Sequence, residues 1–292
     1  MENILLQARE GRYLTDFEII SNNRRNTRTS FPVHKLLLKL QSAFFFTYFT
    51  TPLTENSTCM EIKDGSPHSV DIFLKFFYTA TWDLSTHRPS LETIKEVITI
   101  AHLYLTHTLL DQICHYLSTR TLTTDAIEIY EFLDIYKNEE YNMINLQKTL
   151  IQKLLSDETI LQTEDFLDAK ESTIVTLFGD ENCTFGEIKI WGAVVEWAKR
   201  QCRLENVAET PAYIRHRLEG GGVFGLIHFG SFSKKEFLEG PARSKILTGE
   251  EIDHVRRPLD GGLIDESSPV KHIQARQAVW VHLWRMHPRR VA

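Results

Sequence analysis

Long apolar runs and closely spaced cysteines are two features that this sequence has little of. No stretch of about 18 apolar residues occurs, so the sequence predicts no membrane-spanning helix. The four cysteines, Cys59, Cys114, Cys183 and Cys202, form no CxxC pair, which argues against a zinc knuckle, a redox dithiol or a disulfide scaffold. The N-terminus lacks the basic and apolar regions of a signal peptide. We therefore expect reduced thiols and a cytoplasmic or nuclear protein.

Sequence motifs of the common enzyme classes are also missing. The chain contains no GxSxG, no GxxxxGK[ST] and no HExxH sequence. Its histidines are scattered, and His102 and His107 are five residues apart, a spacing that does not bring two side chains to one helix face. We expect no catalytic residue, no metal site and no cofactor, and hence a non-catalytic protein.

Charge of one sign is present only in modest excess. The 292 residues are 42% hydrophobic and 25% charged, with a formal net charge of −6, which is typical of one large or two ordinary globular domains. Mild acidity argues against general nucleic-acid binding, which requires a basic face. The basic stretch with Arg24, Arg25 and Arg28 lacks neighbouring aromatic residues for base stacking, so we interpret it as a solvated hairpin turn.

The first third of the chain mixes strand and helix patterns. Polar and apolar residues alternate at 16–20 and again at 59–62, as in half-buried strands, while Pro32 predicts that the run at 31–33 is an edge strand or a strand end. Ser42 is a good N-cap for a helix carrying the aromatic run 44–49. Phe45 and Phe49 are four residues apart, so both can face the core.

The remainder reads as almost entirely helical. Apolar residues recur at helical spacing in five stretches, at 91–101, 109–117, 126–133, 143–154 and 187–200. Gly220, Gly221 and Gly222 interrupt this pattern. Thr248 and Glu251 have the spacing of a capping box that opens a further helix. Periodicity disappears after about residue 257.

Several short motifs, in this order and spacing, resemble the BTB/POZ domain over residues 16–118. They are DFEI at 16–19, FPVHKLLL at 31–38, SAFF at 42–45, LTE at 53–55 and FFYT at 76–79, followed by the last helical pair. The resemblance implies an α+β N-terminal domain in which Asp16, His34 and Lys35 have structural roles. It also implies that Leu53 and Glu55 bind a cullin, with the leucine as an apolar anchor and the carboxylate as a polar partner. The alternative is that Leu53 only covers a helix end and Glu55 is solvated.

Ile4, Leu5 and Leu6 are three adjacent apolar residues near the start of the chain. A monomer would bury them poorly, which favours dimerisation. In the BTB domains that this chain resembles, the equivalent N-terminal helix packs across a two-fold interface, so the resemblance implies homodimerisation here.

The helical part resembles the BACK domain that follows BTB in many adaptor proteins. IKIWGAVVEWA at 188–198 carries this resemblance, and residues 236–248 resemble the subgroup that usually adds a C-terminal PHR β-sandwich. The expected organisation is a BTB/POZ domain at 1–120, an all-α BACK domain at 121–257 and an unmatched, irregular C-terminal tail at 258–292 in place of the PHR domain. Gly220–Gly222 falls where the subgroup keeps a helix, so the end of the BACK domain is expected to be distorted.

The resemblance implies an adaptor of a cullin-3 ubiquitin ligase. Its partners would be cullin-3, a second copy of itself and an unidentified substrate protein, with no nucleic acid and no membrane. Two alternatives stay open: a BTB interaction scaffold in transcriptional or cytoskeletal assemblies without a role in ubiquitin transfer, and a truncated, inactive isoform. The tail, with Trp280 and Trp284, could bind a partner or a membrane surface, or arise from truncation or altered splicing.

Overall fold

The computed structural model describes residues 4–22, 28–82, 89–136 and 141–260. The chain forms two compact units, an N-terminal unit of residues 1–121 with 136–146, and a C-terminal unit of residues 122–135 with 147–292. The predicted basic turn at Arg24 and Arg25 and the tail from residue 261 onward lie outside the described residues. The expected domain boundaries stay a prediction.

A small mixed sheet lies in the N-terminal unit. Strand β1 (Phe17–Asn22) is central, pairing antiparallel with β2 (Arg28–Val33) and parallel with β3 (Cys59–Ile62). Phe17 and Ile19 are buried while Glu18 between them is exposed, as alternation predicts, but Ile20 and Ser21 are buried too, so the second half of β1 is covered on both faces. Strand β2 lies at the edge of this sheet, where a proline, which has no backbone N–H to donate, is tolerated. The predicted edge position of Pro32 is thereby confirmed.

Among the described residues, six complete α-helices accompany the sheet in this unit. They are α1 (Ile4–Glu10), α2 (Lys35–Gln41), α3 (Ala43–Tyr48), α4 (Pro67–Thr79), α5 (Leu91–Leu103) and α6 (His107–Arg120). Three of them begin at serines whose hydroxyl groups accept a hydrogen bond from the backbone N–H three residues later, as N-caps do. The predicted N-cap at Ser42 is one of the three.

Aromatic side chains from several elements form the core of this unit. Phe45 stacks on Phe49 with ring centroids 5.8 Å apart and on Tyr104 at 5.5 Å, and it meets the edge of Phe77 at 5.9 Å. Phe45 and Phe49 are both buried, which confirms their predicted inward position. Burial, with a smaller contribution from Asp64, raises the pKa of Tyr104 to about 12. Each such ring contributes roughly 1.5–3 kcal/mol through burial.

Helices make up the regular structure of the C-terminal unit, and no strand occurs among its described residues. Its complete α-helices are α7 (Thr123–Leu133), α9 (Glu164–Leu167), α10 (Glu171–Gly179), α11 (Glu187–Leu204), α12 (Pro211–Gly220), α13 (Lys234–Glu239) and α14 (Gly249–Leu259). Helix α8 (Tyr141–Leu155) contributes residues to both units. The fold class, α+β followed by all-α, is thereby confirmed.

The glycine triplet and the predicted capping box both lie near the end of this unit. Helix α12 ends at Gly220, and Gly222 has a φ of +78°, a left-handed conformation that glycine adopts without steric cost. Both halves of the predicted capping box form between Thr248 and Glu251 at the start of α14. That helix runs to Leu259 although it contains Pro258, because a proline in the last turn removes only one hydrogen bond near the helix end.

A buried ion pair fixes α14 to α12. Both terminal nitrogens of Arg215 contact the Glu251 carboxylate, at 3.0 and 2.7 Å. The Arg215 guanidinium also lies 3.8 Å from the centre of the Phe224 ring. Burial opposes the charge on Glu251, but hydrogen bonds from Arg215 and Thr248 outweigh it and hold the pKa of Glu251 below its ordinary value of 4.5.

Replacing Glu251 by glutamine should lower the free energy of unfolding by about 2 kcal/mol at neutral pH, because Arg215, which is mostly buried, loses one of its two carboxylate partners and keeps only Glu219. Since the folded pKa is the lower one, the advantage of the native chain is complete above about pH 4.5 and is lost as the pH falls through the folded pKa. Urea denaturation of both chains, from neutral pH downward, measures this. A difference that does not shrink on acidification contradicts it.

Candidate functional site

Lys35, the first residue of α2, connects three parts of the N-terminal unit. Its backbone N–H donates to Asp16 Oδ1 at 2.8 Å, and its Nζ donates to the backbone carbonyl of Glu55 at 3.2 Å. The same ammonium group lies over the rings of Phe17 and Phe49, at 5.4 and 5.3 Å from their centres. Two ring faces and a carbonyl therefore hold one positive charge.

His34, immediately before α2, connects two further elements. Its Nε2 lies 2.9 Å from the backbone carbonyl of Tyr13, so this nitrogen carries the proton and donates. Its Nδ1 and its backbone N–H each lie 3.0 Å from the Tyr78 hydroxyl, which donates to the first and accepts from the second. The structure thus brings Asp16, His34 and Lys35 into one network at the start of α2.

The turn segment, residues 50–57, follows α3 and displays the two predicted cullin-binding residues. Leu53 is 93% exposed and Glu55 is exposed beside it. The backbone N–H of Glu55 donates to the Thr51 carbonyl at 2.8 Å, and the Thr54 hydroxyl donates to the Tyr48 carbonyl. With Lys35 holding the Glu55 carbonyl, the segment presents an apolar side chain and a carboxylate from a fixed backbone.

A second apolar feature beside α3 was not predicted from the sequence. Leu103 and Leu105 are exposed on either side of Tyr104, whose ring meets the edge of Phe44 at 4.9 Å. The Ser42 hydroxyl donates to the Tyr104 carbonyl at 2.6 Å, which ties this loop to the start of α3. Leu105 has a φ of +51°, a costly conformation for leucine. In the sequence, the only indication of this loop is that it lies between the helical stretches 91–101 and 109–117.

The predicted dimerisation residues lie on α1. Ile4 is 78% exposed and Leu5 is 48% exposed, whereas Leu6 is half-buried. Arg9 anchors the helix to α4 through a 2.7 Å ion pair with Asp71. Two more exposed leucines, Leu36 and Leu40, are four residues apart on α2 and therefore share one face. These side chains form two exposed apolar faces in the same unit.

Neither a metal site nor a membrane span appears in the part of the chain that the structure describes. No group of three or more histidine, cysteine, aspartate or glutamate side chains converges there. None of the helices in those residues is long and apolar enough to cross a membrane. The four cysteines form no disulfide, and Cys59 is exposed while the others are buried.

A small sheet surrounded by helices, with exposed apolar side chains on short turns, is an arrangement typical of a protein-interaction domain. Residues 5–121 match the family model of the BTB/POZ domain. This match confirms the BTB/POZ resemblance stated for residues 16–118, whereas the BACK resemblance of the helical region stays a prediction.

Curated relatives extend the similarity into the helical region. BTB/POZ domain-containing protein 6 of Homo sapiens is 26% identical over 234 residues, which cover 78% of this chain and 40% of that protein. Protein 6-A of Danio rerio is 25% identical over 229 residues, covering 77% and 39%. BTB/POZ domain-containing protein 3 of Homo sapiens is 23% identical over 229 residues, covering 77% and 41%. The chain spans about two fifths of the length of these relatives.

Replacing Lys35 by methionine should loosen the turn segment, because the Glu55 carbonyl loses its donor and two rings lose their cation. We expect a loss of about 1–2 kcal/mol in unfolding free energy and faster hydrogen exchange at residues 53–57. Lys39→Met is the matched control, since Lys39 lies on the same helix with its Nζ over Phe46, at 5.9 Å. Equal exchange in both variants contradicts the role given to Lys35.

Proposed function

We propose that the chain is a non-catalytic adaptor of a cullin-3 ubiquitin ligase and acts in the cytoplasm or nucleus. The observation that carries this proposal is the turn segment, where Leu53 stands almost fully exposed beside Glu55 on a backbone fixed by Lys35. An exposed leucine gains most when a partner's pocket buries it, and a neighbouring carboxylate adds orientation and specificity. Asp16, His34 and Lys35 act structurally: Lys35 holds this segment, while Asp16 and His34 fix the start of α2 that carries Lys35.

The loop at Leu103 and Leu105 enlarges the proposed cullin surface. Tyr104 joins that loop to α3, and the turn segment follows the same helix. Exposed apolar side chains therefore stand on both chain segments adjoining α3. A partner that covers both would bury more apolar area than Leu53 alone offers.

Homodimerisation through α1 is the second part of the proposal. Ile4 and Leu5 would pack against a second copy, and the exposed face of α2 formed by Leu36 and Leu40 offers further apolar area. A dimer presents two substrate-binding elements, which raises avidity through effective concentration without new contacts. We propose that the helical region is a BACK domain that holds the substrate-recruiting element.

Changing Leu53 and Glu55 together to alanine should weaken binding of the purified cullin-3 N-terminal region at least tenfold, because anchor and carboxylate are lost together. Isothermal titration calorimetry with the full chain measures this. The control is Leu204→Ala/Glu205→Ala, which alters another exposed leucine and its neighbouring glutamate in the C-terminal unit.

Two results separate failure of the function from failure of the site. No binding by a folded native chain rejects the adaptor function and favours the alternative, a BTB scaffold outside ubiquitin transfer. Undiminished binding by the Leu53→Ala/Glu55→Ala chain rejects only the site.

Replacing Ile4 and Leu5 by glutamate should weaken self-association at least tenfold, since charged side chains would be buried at the interface. Analytical ultracentrifugation over a concentration series measures the change. Leu204→Glu is the control, because it places the same type of charged side chain at an exposed leucine of the other unit. A native chain that is monomeric throughout, or a variant that dimerises as well as the native chain, contradicts dimerisation through α1.

A further inference from the structure

A groove of about 550 Å³ opens in the C-terminal unit, and the proposed function does not use it. It lies between α9, α11 and the 3₁₀ helix Glu158–Gln162. Leu161, Leu167 and Ala193 supply apolar walls, and Gly192 lies among them on α11. The groove is thus large enough to accept one or two bulky apolar side chains.

Gly192 is the least expected residue in this groove. It lies exposed in the interior of an 18-residue helix, where glycine destabilises the helix relative to alanine. A Cβ atom built at this position meets nothing within 4 Å, so no described neighbour requires glycine. Glycine does, however, let another chain approach a helix backbone closely. Gly192 therefore leaves room for an occupant to pack closely against α11.

Electrostatics at the groove favour a cationic occupant. Its two carboxylates, Glu158 and Glu196, pair with Lys189 and Lys199. Asp165 does not line the groove but lies on α9, two residues before the lining residue Leu167, and burial, followed by the charges of neighbouring carboxylates, raises its pKa. These carboxylates belong to Glu128, Asp125, Asp168 and Glu164, of which Asp168 and Glu164 share the single cation Arg200, so acidic charge exceeds basic charge in this cluster. A positively charged segment would relieve this repulsion.

We propose that residues 274–292 of this same chain occupy the groove. This segment contains four arginines and no acidic residue, and Trp280 and Trp284 are four residues apart in it. Indole rings suit apolar walls, and the arginines suit the negative charge near Asp165. The fourteen residues 260–273, which follow α14, can extend to about 50 Å, more than the diameter of a small domain.

A competition experiment tests this docking in the full chain. A fluorescent synthetic peptide of residues 274–292 is titrated into the native chain and into the Trp280→Ala/Trp284→Ala chain, with anisotropy as the readout. In the native chain the attached segment competes at high effective concentration, so the peptide should bind the variant at least tenfold more tightly. The control, His282→Ala/His287→Ala, changes the same segment but keeps both indoles and should behave as the native chain does.

Two further substitutions, made in the Trp280→Ala/Trp284→Ala chain, locate the binding. Gly192→Leu fills the groove and should weaken the peptide at least tenfold, and Glu196→Lys, at an exposed position, should weaken it at least threefold without affecting folding. Peptide affinity equal in native and variant chains, or unaffected by both groove substitutions, overturns the proposal. Competition that grows with chain concentration also overturns it, since a second copy would then supply the segment.

Discussion

The ammonium group of Lys35 is the constraint on which the candidate interaction surface depends. It lies against two aromatic rings of the core and donates to the backbone carbonyl of Glu55. One side chain on the first turn of α2 therefore connects the core with the turn segment. The rings on which it rests, Phe17 and Phe49, are themselves buried. The position of the surface therefore depends on the packing of these two rings. Substitutions of either ring should weaken binding although neither ring contacts the partner.

His34 extends the same constraint to the opposite side of α2. Its imidazole satisfies the Tyr13 carbonyl and the Tyr78 hydroxyl, while burial raises the pKa of Tyr78 more than its hydrogen bond from the His34 backbone lowers it. The phenol stays neutral and can serve as donor and acceptor at once. The polar side chains around α2 thus fix loops, while apolar side chains of the same unit stay exposed to a partner.

Much of this could be predicted from the sequence where pattern and local chemistry agree. The alternation of polar and apolar residues predicted β1. The residue types at Ser42 and Thr248 predicted an N-cap and a capping box, and the glycine triplet predicted a break in the helical pattern. Helix α12 was missed because only Ile214 and Leu218 are buried on it, too few for a clear period. The exposed pair Leu103 and Leu105 was missed because its position beside α3 arises from a contact of Tyr104 with residues some sixty positions earlier. Tertiary contacts of this kind leave no local signal.

A double-mutant cycle between Lys35 and Leu53 tests the central claim most directly. The affinity of the cullin-3 N-terminal region would be measured for the native chain, Lys35→Met, Leu53→Ala and the double variant. If Lys35 acts by positioning the segment that carries Leu53, the two single substitutions remove part of the same binding free energy. The double variant should then lose at least about 1 kcal/mol less binding free energy than the sum of the two single losses. Losses that add within about 0.3–0.5 kcal/mol would show that Lys35 and Leu53 act independently, and would contradict the account.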